Sequence, residues 1–171
     1  MVVKGVILGV AGTIALLFCI GYIVIVRGMI PANADAPPSG LERWAANRSL
    51  KATVAREAPP GGNPVALTDQ NLNAGIHLYA QNCAVCHGGF KERPSNIARG
   101  LYQHAPQFYR HGVEDDPPGE TYWKIAHGIR LTGMPAFGKT LQPKELWQIA
   151  LFLKHMDALA PVAQRQWMKV R

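Results

Sequence analysis

"YAQNCAVCHGGF", residues 79–90, holds two of the chain's three cysteines, Cys83 and Cys86, with His87 directly after the second. A Cys-x-x-Cys-His string admits three chemistries: a thiol–disulfide pair, half of a zinc site, and the covalent attachment point of a haem. The rest of the sequence has to choose among them, and the choice decides the fold.

Zinc wants four ligands, usually as two such pairs. The third cysteine, Cys19, lies inside a long apolar run, and no pair of histidines stands three to five residues apart. A thioredoxin-like pair opens a helix after a strand, where the helix dipole lowers the thiol pKa. Here the first cysteine ends a helical stretch, and no strand–helix alternation surrounds it. Haem attachment asks two thiols on one side of a helical turn to reach two vinyl groups on one porphyrin edge, which a spacing of three supplies. His87 then turns its imidazole toward the iron. Gly88 and Gly89 let the backbone leave close to the macrocycle without a Cβ clash. The string reads as the attachment site of one haem c, bonded through two thioethers at Cys83 and Cys86, with His87 as an iron ligand.

An electron-transfer haem has its sixth iron position filled as well. Met134 is the candidate, in "LTGMPAFG", residues 131–138, between Gly133 and Pro135. A thioether is a soft ligand that favours ferrous iron and raises the reduction potential, and a Gly/Pro loop can hold it in place. Met1 and Met29 belong to the apolar end, Met156 follows a core spacing, and Met168 lies in a basic tail. The rival ligands are His77, His104, His111, His127 and His155, each of which reads more simply as a surface or core residue.

Outward from this motif, the chain divides into four parts. Residues 5–26, "GVILGVAGTIALLFCIGYIVIV", carry no charge. As a helix of about 33 Å they are long enough to cross a bilayer core of about 30 Å. Residues 1–27 are therefore expected to be a transmembrane anchor, with a cleaved signal peptide as the alternative, since "ANADA" (residues 32–36) offers small residues for a peptidase. Cys19 reads as a small apolar residue in that span. Residues 28–64 form a Pro/Gly-rich linker with a possible helix over 41–57, capped by Ser39 and carrying only a narrow apolar stripe. The compact domain is expected over 65–160, with helices after Thr68, over 119–128 and from Pro143, and a basic tail over 161–171. No stretch outside the span alternates as a strand should, so the fold class is all-α: a small domain wrapped around one haem, preceded by a single transmembrane helix.

The formal charge of +7 is unevenly spread: residues 1–64 carry +3, residues 65–160 only +1, and residues 161–171 again +3. Basic ends beside a membrane read as contacts with anionic headgroups. No nucleic-acid motif is present, and neither nucleic acid nor a small-molecule substrate is expected as a partner.

The "CAVCH" string, the "GMPAF" loop and the pairing of two helices that flank them make residues 65–160 resemble the class I cytochromes c, in particular membrane-anchored monohaem members. In that family a glycine and an aromatic precede the first cysteine by eight and four residues, which here are Gly75 and Tyr79. The resemblance implies that Gly75 lets the helix from Asp69 cross the helix from Pro143 closely, with Tyr79 against Phe152 near Ile149. It also implies a proline carbonyl on Nδ1 of His87, for which Pro94 is the candidate. Trp123, Tyr122 and Trp147 read as core residues or as partners of a haem propionate.

The implied function is a membrane-anchored electron carrier, not an enzyme, passing electrons between redox protein partners through a His/Met-ligated haem iron. It would sit as a single-pass protein in a bacterial inner membrane with the haem domain in the periplasm. The alternatives are a haem-c subunit of a multisubunit oxidoreductase, such as a terminal oxidase, nitric oxide reductase or dehydrogenase, and an enzyme or sensor with an open iron position.

Overall fold

In a computed structural model, which describes residues 2–171, the chain forms two units, one ending at Ala36 and one spanning Pro37–Arg171. The first is built on helix α1 (Val2–Val26), none of whose residues is buried, and α1 is long and apolar enough to cross a membrane.

The second unit is all-helical: among the described residues there is no β-strand. Its elements are α2 (Gly40–Glu57), α3 (Asp69–Asn82), α4 (Ala84–His87), α5 (Asn96–Gly100), α6 (Phe108–His111), α7 (Pro118–His127), a 3-10 turn (Phe137–Lys139), α8 (Pro143–His155) and α9 (Pro161–Trp167). The starts follow local chemistry. Ser39, Thr68 and Ser95 each accept a backbone N–H three residues on, which satisfies one donor that the first helical turn leaves free. Proline opens α7, α8 and α9, where its missing N–H costs nothing. In α8 the Glu145 carboxylate also accepts from the Gln142 N–H at 2.7 Å, which closes a capping box.

The core lies where α3 crosses α8. Ile76, Tyr79, Ile149 and Phe152 have no exposed surface, and Leu146, Leu153 and Met156 are buried beside them. A Cβ on Gly75 would meet the Gln148 carbonyl oxygen at 2.1 Å, so only glycine admits this approach. Beside the crossing, the Gln148 side chain donates to Asn71 at 3.0 Å. Tyr122 on α7 stacks on Trp147 of α8, with ring centroids 4.2 Å apart.

The compact body is wider than residues 65–160. Upstream, α2 sets Val54, only 2% exposed, into it, and a Cβ on Gly119 would run into the Pro59 carbonyl oxygen. Downstream, residues 161–171, which read as a basic tail, fold into α9 and return to the core. Ala163 and Trp167 are buried, and Trp167 packs edge-on against Tyr79 and Phe152, at 5.6 and 5.1 Å between centroids. The basic residues Arg165, Lys169 and Arg171 are exposed around this aromatic anchor, and the net charge conceals it.

Candidate haem-binding site

Cys83 ends α3, its N–H donating to the Tyr79 carbonyl at 2.8 Å, and its own carbonyl accepts from Cys86 and His87 at 3.0 and 2.9 Å. The two thiols and the imidazole therefore leave a single turn, and no disulfide joins the thiols. Cys83 is buried and Cys86 half-buried. Burial, and secondarily the neighbouring Cys86, pushes the Cys83 thiol up to about 12. A thiol-exchange enzyme needs the opposite, a thiol shifted toward the thiolate. Cys83 is thereby held as a neutral thiol, which does not suit thiol exchange.

His87 is also set for one role. Its Nδ1 lies 2.9 Å from the Pro106 carbonyl oxygen, which fixes the proton on Nδ1 and leaves Nε2 with a free lone pair. Burial lowers its pKa, against an opposing effect of the Pro106 hydrogen bond, so the neutral ring is favoured. The Phe108 ring lies parallel to the imidazole at 4.2 Å between centroids. The partner carbonyl is Pro106, not Pro94. The loop after the motif folds into α5, and Pro94 lies just before it, where Ser95 caps the helix and donates to the Val85 carbonyl. Pro106 comes back to the imidazole just before α6.

Gln107 completes this proximal wall. Its buried amide donates to the Cys86 carbonyl at 2.9 Å and to the Ala105 carbonyl at 3.0 Å. The same side chain stands against Gly88, where a Cβ would come within 2.8 Å of Gln107 Oε1. On Gly89 a Cβ would meet the Val170 carbonyl oxygen at 2.3 Å, and that oxygen accepts from the Phe90 N–H at 3.1 Å. The glycine pair thus makes room for Gln107 and for the end of the chain. Nothing in the sequence marked Pro106, Gln107 or Phe108 in the loop, nor Val170 at the end of the chain; each is brought to the motif by the fold.

Met134 lies in a separate, rigid loop. Its N–H donates to the Thr132 hydroxyl at 3.1 Å and its carbonyl accepts from Ile129 at 3.2 Å. Leu131 adopts a left-handed φ of 60°, and Gly128, φ 65°, passes so close that a Cβ would meet the Met134 carbonyl at 2.6 Å. Met134 is half-buried and packs against the core cluster that includes Cys83 and Ala84. Two thiols on one helical turn, an imidazole with a free Nε2 and a thioether packed against the same core are a donor set that fits a covalently attached haem.

Residues 70–153 match the family described as cytochrome c oxidase, cbb3-type, subunit III. Residues 70–153 are a class I cytochrome c domain. A curated relative, the quinohemoprotein alcohol dehydrogenase ADH IIB of Pseudomonas putida, is 32% identical over 92 residues, which is 53% of this chain. The chain spans only 12% of that relative's length.

A cytochrome c domain carries covalently bound haem and moves electrons, and its haem iron supplies the redox chemistry. Among the rival histidines of this domain, His77, His104, His111 and His127 are exposed, and His127 rests on the Trp123 ring at 4.9 Å. His155, half-buried, lines a small cavity of about 160 Å³ with Leu67, Leu72 and Ala160. Trp123 is buried on α7.

Proposed function

We propose that this protein is a membrane-anchored monohaem c-type cytochrome that transfers electrons between redox protein partners. One haem would be held through thioethers at Cys83 and Cys86, with His87 and Met134 as the two axial ligands of its iron. The observation that carries the ligand assignment is the fixed tautomer of His87: with Nδ1 tied to Pro106, Nε2 is left to bind metal. The hydrogen bonds that brace the Met134 loop suit a weak ligand, which depends on its loop for placement. With both axial positions filled, the site binds no substrate and the protein is a carrier.

Residues 1–27 would be the anchor, 28–64 the segment that carries α2, 65–160 the cytochrome c domain proper, and 161–171 a closing segment. Helix α1 would place the protein in a bacterial inner membrane as a single-pass protein, haem domain in the periplasm, where a tether raises the effective concentration of membrane partners. A second reading is a haem-c subunit of a multisubunit oxidoreductase. It is favoured by the matched family's description as an oxidase subunit and by a relative that is a dehydrogenase.

The test of ligation is the visible spectrum of the matured protein beside that of Met134→Ala. The wild type is expected to show the far-red band of methionine–iron ligation and to refuse carbon monoxide when reduced. The variant is expected to lose the band, bind carbon monoxide and fall in reduction potential. An unchanged variant spectrum removes Met134 from the iron. Purification in mild detergent separates the two functional readings: a carrier comes alone, a subunit with stoichiometric partners.

A further inference from the structure

Helix α2 has two faces of different character. Its two acidic residues are both engaged: Glu42 accepts from the Tyr102 hydroxyl, and Glu57 pairs with Arg56 at 2.7 Å. Glu42, Leu50, Thr53, Val54 and Glu57 share the side that meets the body, where Val54 is buried and Leu50 and Thr53 are half-buried. On the opposite side, Leu41, Trp44, Arg48, Lys51 and Ala55 fall within about 80° of helical arc. Leu41 is 74% and Trp44 65% exposed, and Arg48, Lys51 and Ala55 are exposed with them. Among the described residues neither Arg48 nor Lys51 has an acidic partner.

A helix face meant for water usually mixes both signs and gains from pairs one turn apart. This one combines an amphipathic ring, an aliphatic side chain and unpaired basic residues. Tryptophan seats its ring at the headgroup level, leucine enters the acyl boundary, and long basic stems reach headgroup phosphates. The chain that joins α1 to α2, residues 27–39, spans at most about 45 Å when fully extended, so the first turn of α2 cannot leave the neighbourhood of an anchored α1.

We propose that the outer face of α2, through Leu41, Trp44, Arg48 and Lys51, docks on an anionic lipid surface and so fixes the orientation of the haem domain. The inference rests on the reading of α1 as a membrane anchor. The notable point is the sorting of charge: both carboxylates of α2 are taken up away from the outer face, which is left purely basic and apolar. An acidic protein partner would also meet the basic residues, but the short connection to α1 gives lipid the first claim on this face.

The test uses the full-length holoprotein with Cys19 replaced by Ser and Ala52→Cys as a reporter beside the outer face. The protein is placed in nanodiscs of phosphatidylcholine alone, or mixed equally with phosphatidylglycerol, and the reporter is labelled with a membrane-impermeant maleimide. Labelling is expected to slow in the anionic discs by about fivefold or more, the factor one basic residue near such a surface supplies. High salt is expected to restore the rate, since a headgroup contact of this kind is screened. The double reversal Arg48→Glu, Lys51→Glu is expected to label equally fast in both discs. Equal rates for the unreversed protein in both discs overturn the docking and leave the face to a protein partner. Insertion is read separately by flotation with vesicles in alkaline carbonate. A chain that does not float refutes the anchor and the docking together, whereas one that floats and labels alike in both discs refutes the docking alone.

Discussion

Gly75 and Gln148 set the closest approach in the core: a Cβ on Gly75 would stand 2.1 Å from the Gln148 carbonyl oxygen and 3.0 Å from the Phe152 Cβ. The nearest obstacle is backbone, which no rotamer change can move aside. Gly75→Ala gains under about 1 kcal/mol of intrinsic helix propensity. Against that, forcing α3 and α8 apart costs about 3 kcal/mol, because overpacking a close crossing shifts both helices. Guanidinium unfolding of the holoprotein is expected to show a lower midpoint for the variant. An equal or higher midpoint would mean that the helices do not cross at this glycine.

Tyr79 makes the alkaline behaviour predictable. Burial, with a smaller contribution from Cys83, pushes its phenol well above the ordinary 10.0, and its hydroxyl donates to the Gly88 carbonyl at 2.7 Å. A folded-state pKa above the unfolded one gives stability that is complete below the unfolded value and is lost as pH rises from there toward the folded value. Wild-type unfolding free energy is therefore expected to fall between about pH 9 and 11. Tyr79→Phe is expected to lose about 1 kcal/mol near neutrality, for the missing hydrogen bond, and to show a flatter alkaline limb. Parallel pH profiles for the two proteins would contradict this.

Gln107 is expected to behave as a donor and not as a filler. It is 7% exposed and its amide feeds two carbonyls, those of Cys86 and Ala105. Gln107→Ala should cost about 2 kcal/mol through the unsatisfied groups it leaves. Gln107→Glu keeps the shape but turns an acceptor oxygen toward those carbonyls and should cost more. Thermal unfolding of the two variants side by side checks the order, and a glutamate variant more stable than the alanine variant would overturn the assignment.

The end of the chain should be structural. Trp167 is 2% exposed and contacts Tyr79, Phe152 and Phe90. Trp167→Ala is expected to destabilise the holoprotein by about 3–5 kcal/mol, the range for emptying a large buried aromatic site. Neutralising the exposed Lys169, by contrast, should leave the unfolding midpoint within about 0.5 kcal/mol of wild type. Equal effects of the two substitutions would return residues 161–171 to the status of a tail.

Much of the site was open to reading in one dimension. The three-residue spacing of Cys83 and Cys86 and the adjacency of His87 are local facts, and one helical turn delivers them together whatever the rest of the fold does. Likewise the caps at Ser39 and Thr68, the proline starts of α7 and α8, and the uncharged run of α1 each depend only on residues within a turn or two. Gly75 and Tyr79 were marked by the resemblance to the class I cytochromes c, and both lie on the helix that Cys83 caps.

Tertiary structure alone decided the rest. Pro94 and Pro106 are the same residue type in the same loop, and which carbonyl meets His87 depends on how α5 takes up the chain between them. Gln107 and Val170 reach the glycine pair from positions far along the chain, and no local propensity encodes such a meeting. The inward packing within 161–171 was illegible for the same reason: three basic residues dominate the segment's composition, while Trp167 and Ala163 are the ones buried. Composition averages over a segment. A hydrophobic anchor needs only one large side chain and a vacancy shaped by residues elsewhere, here Tyr79 and Phe152.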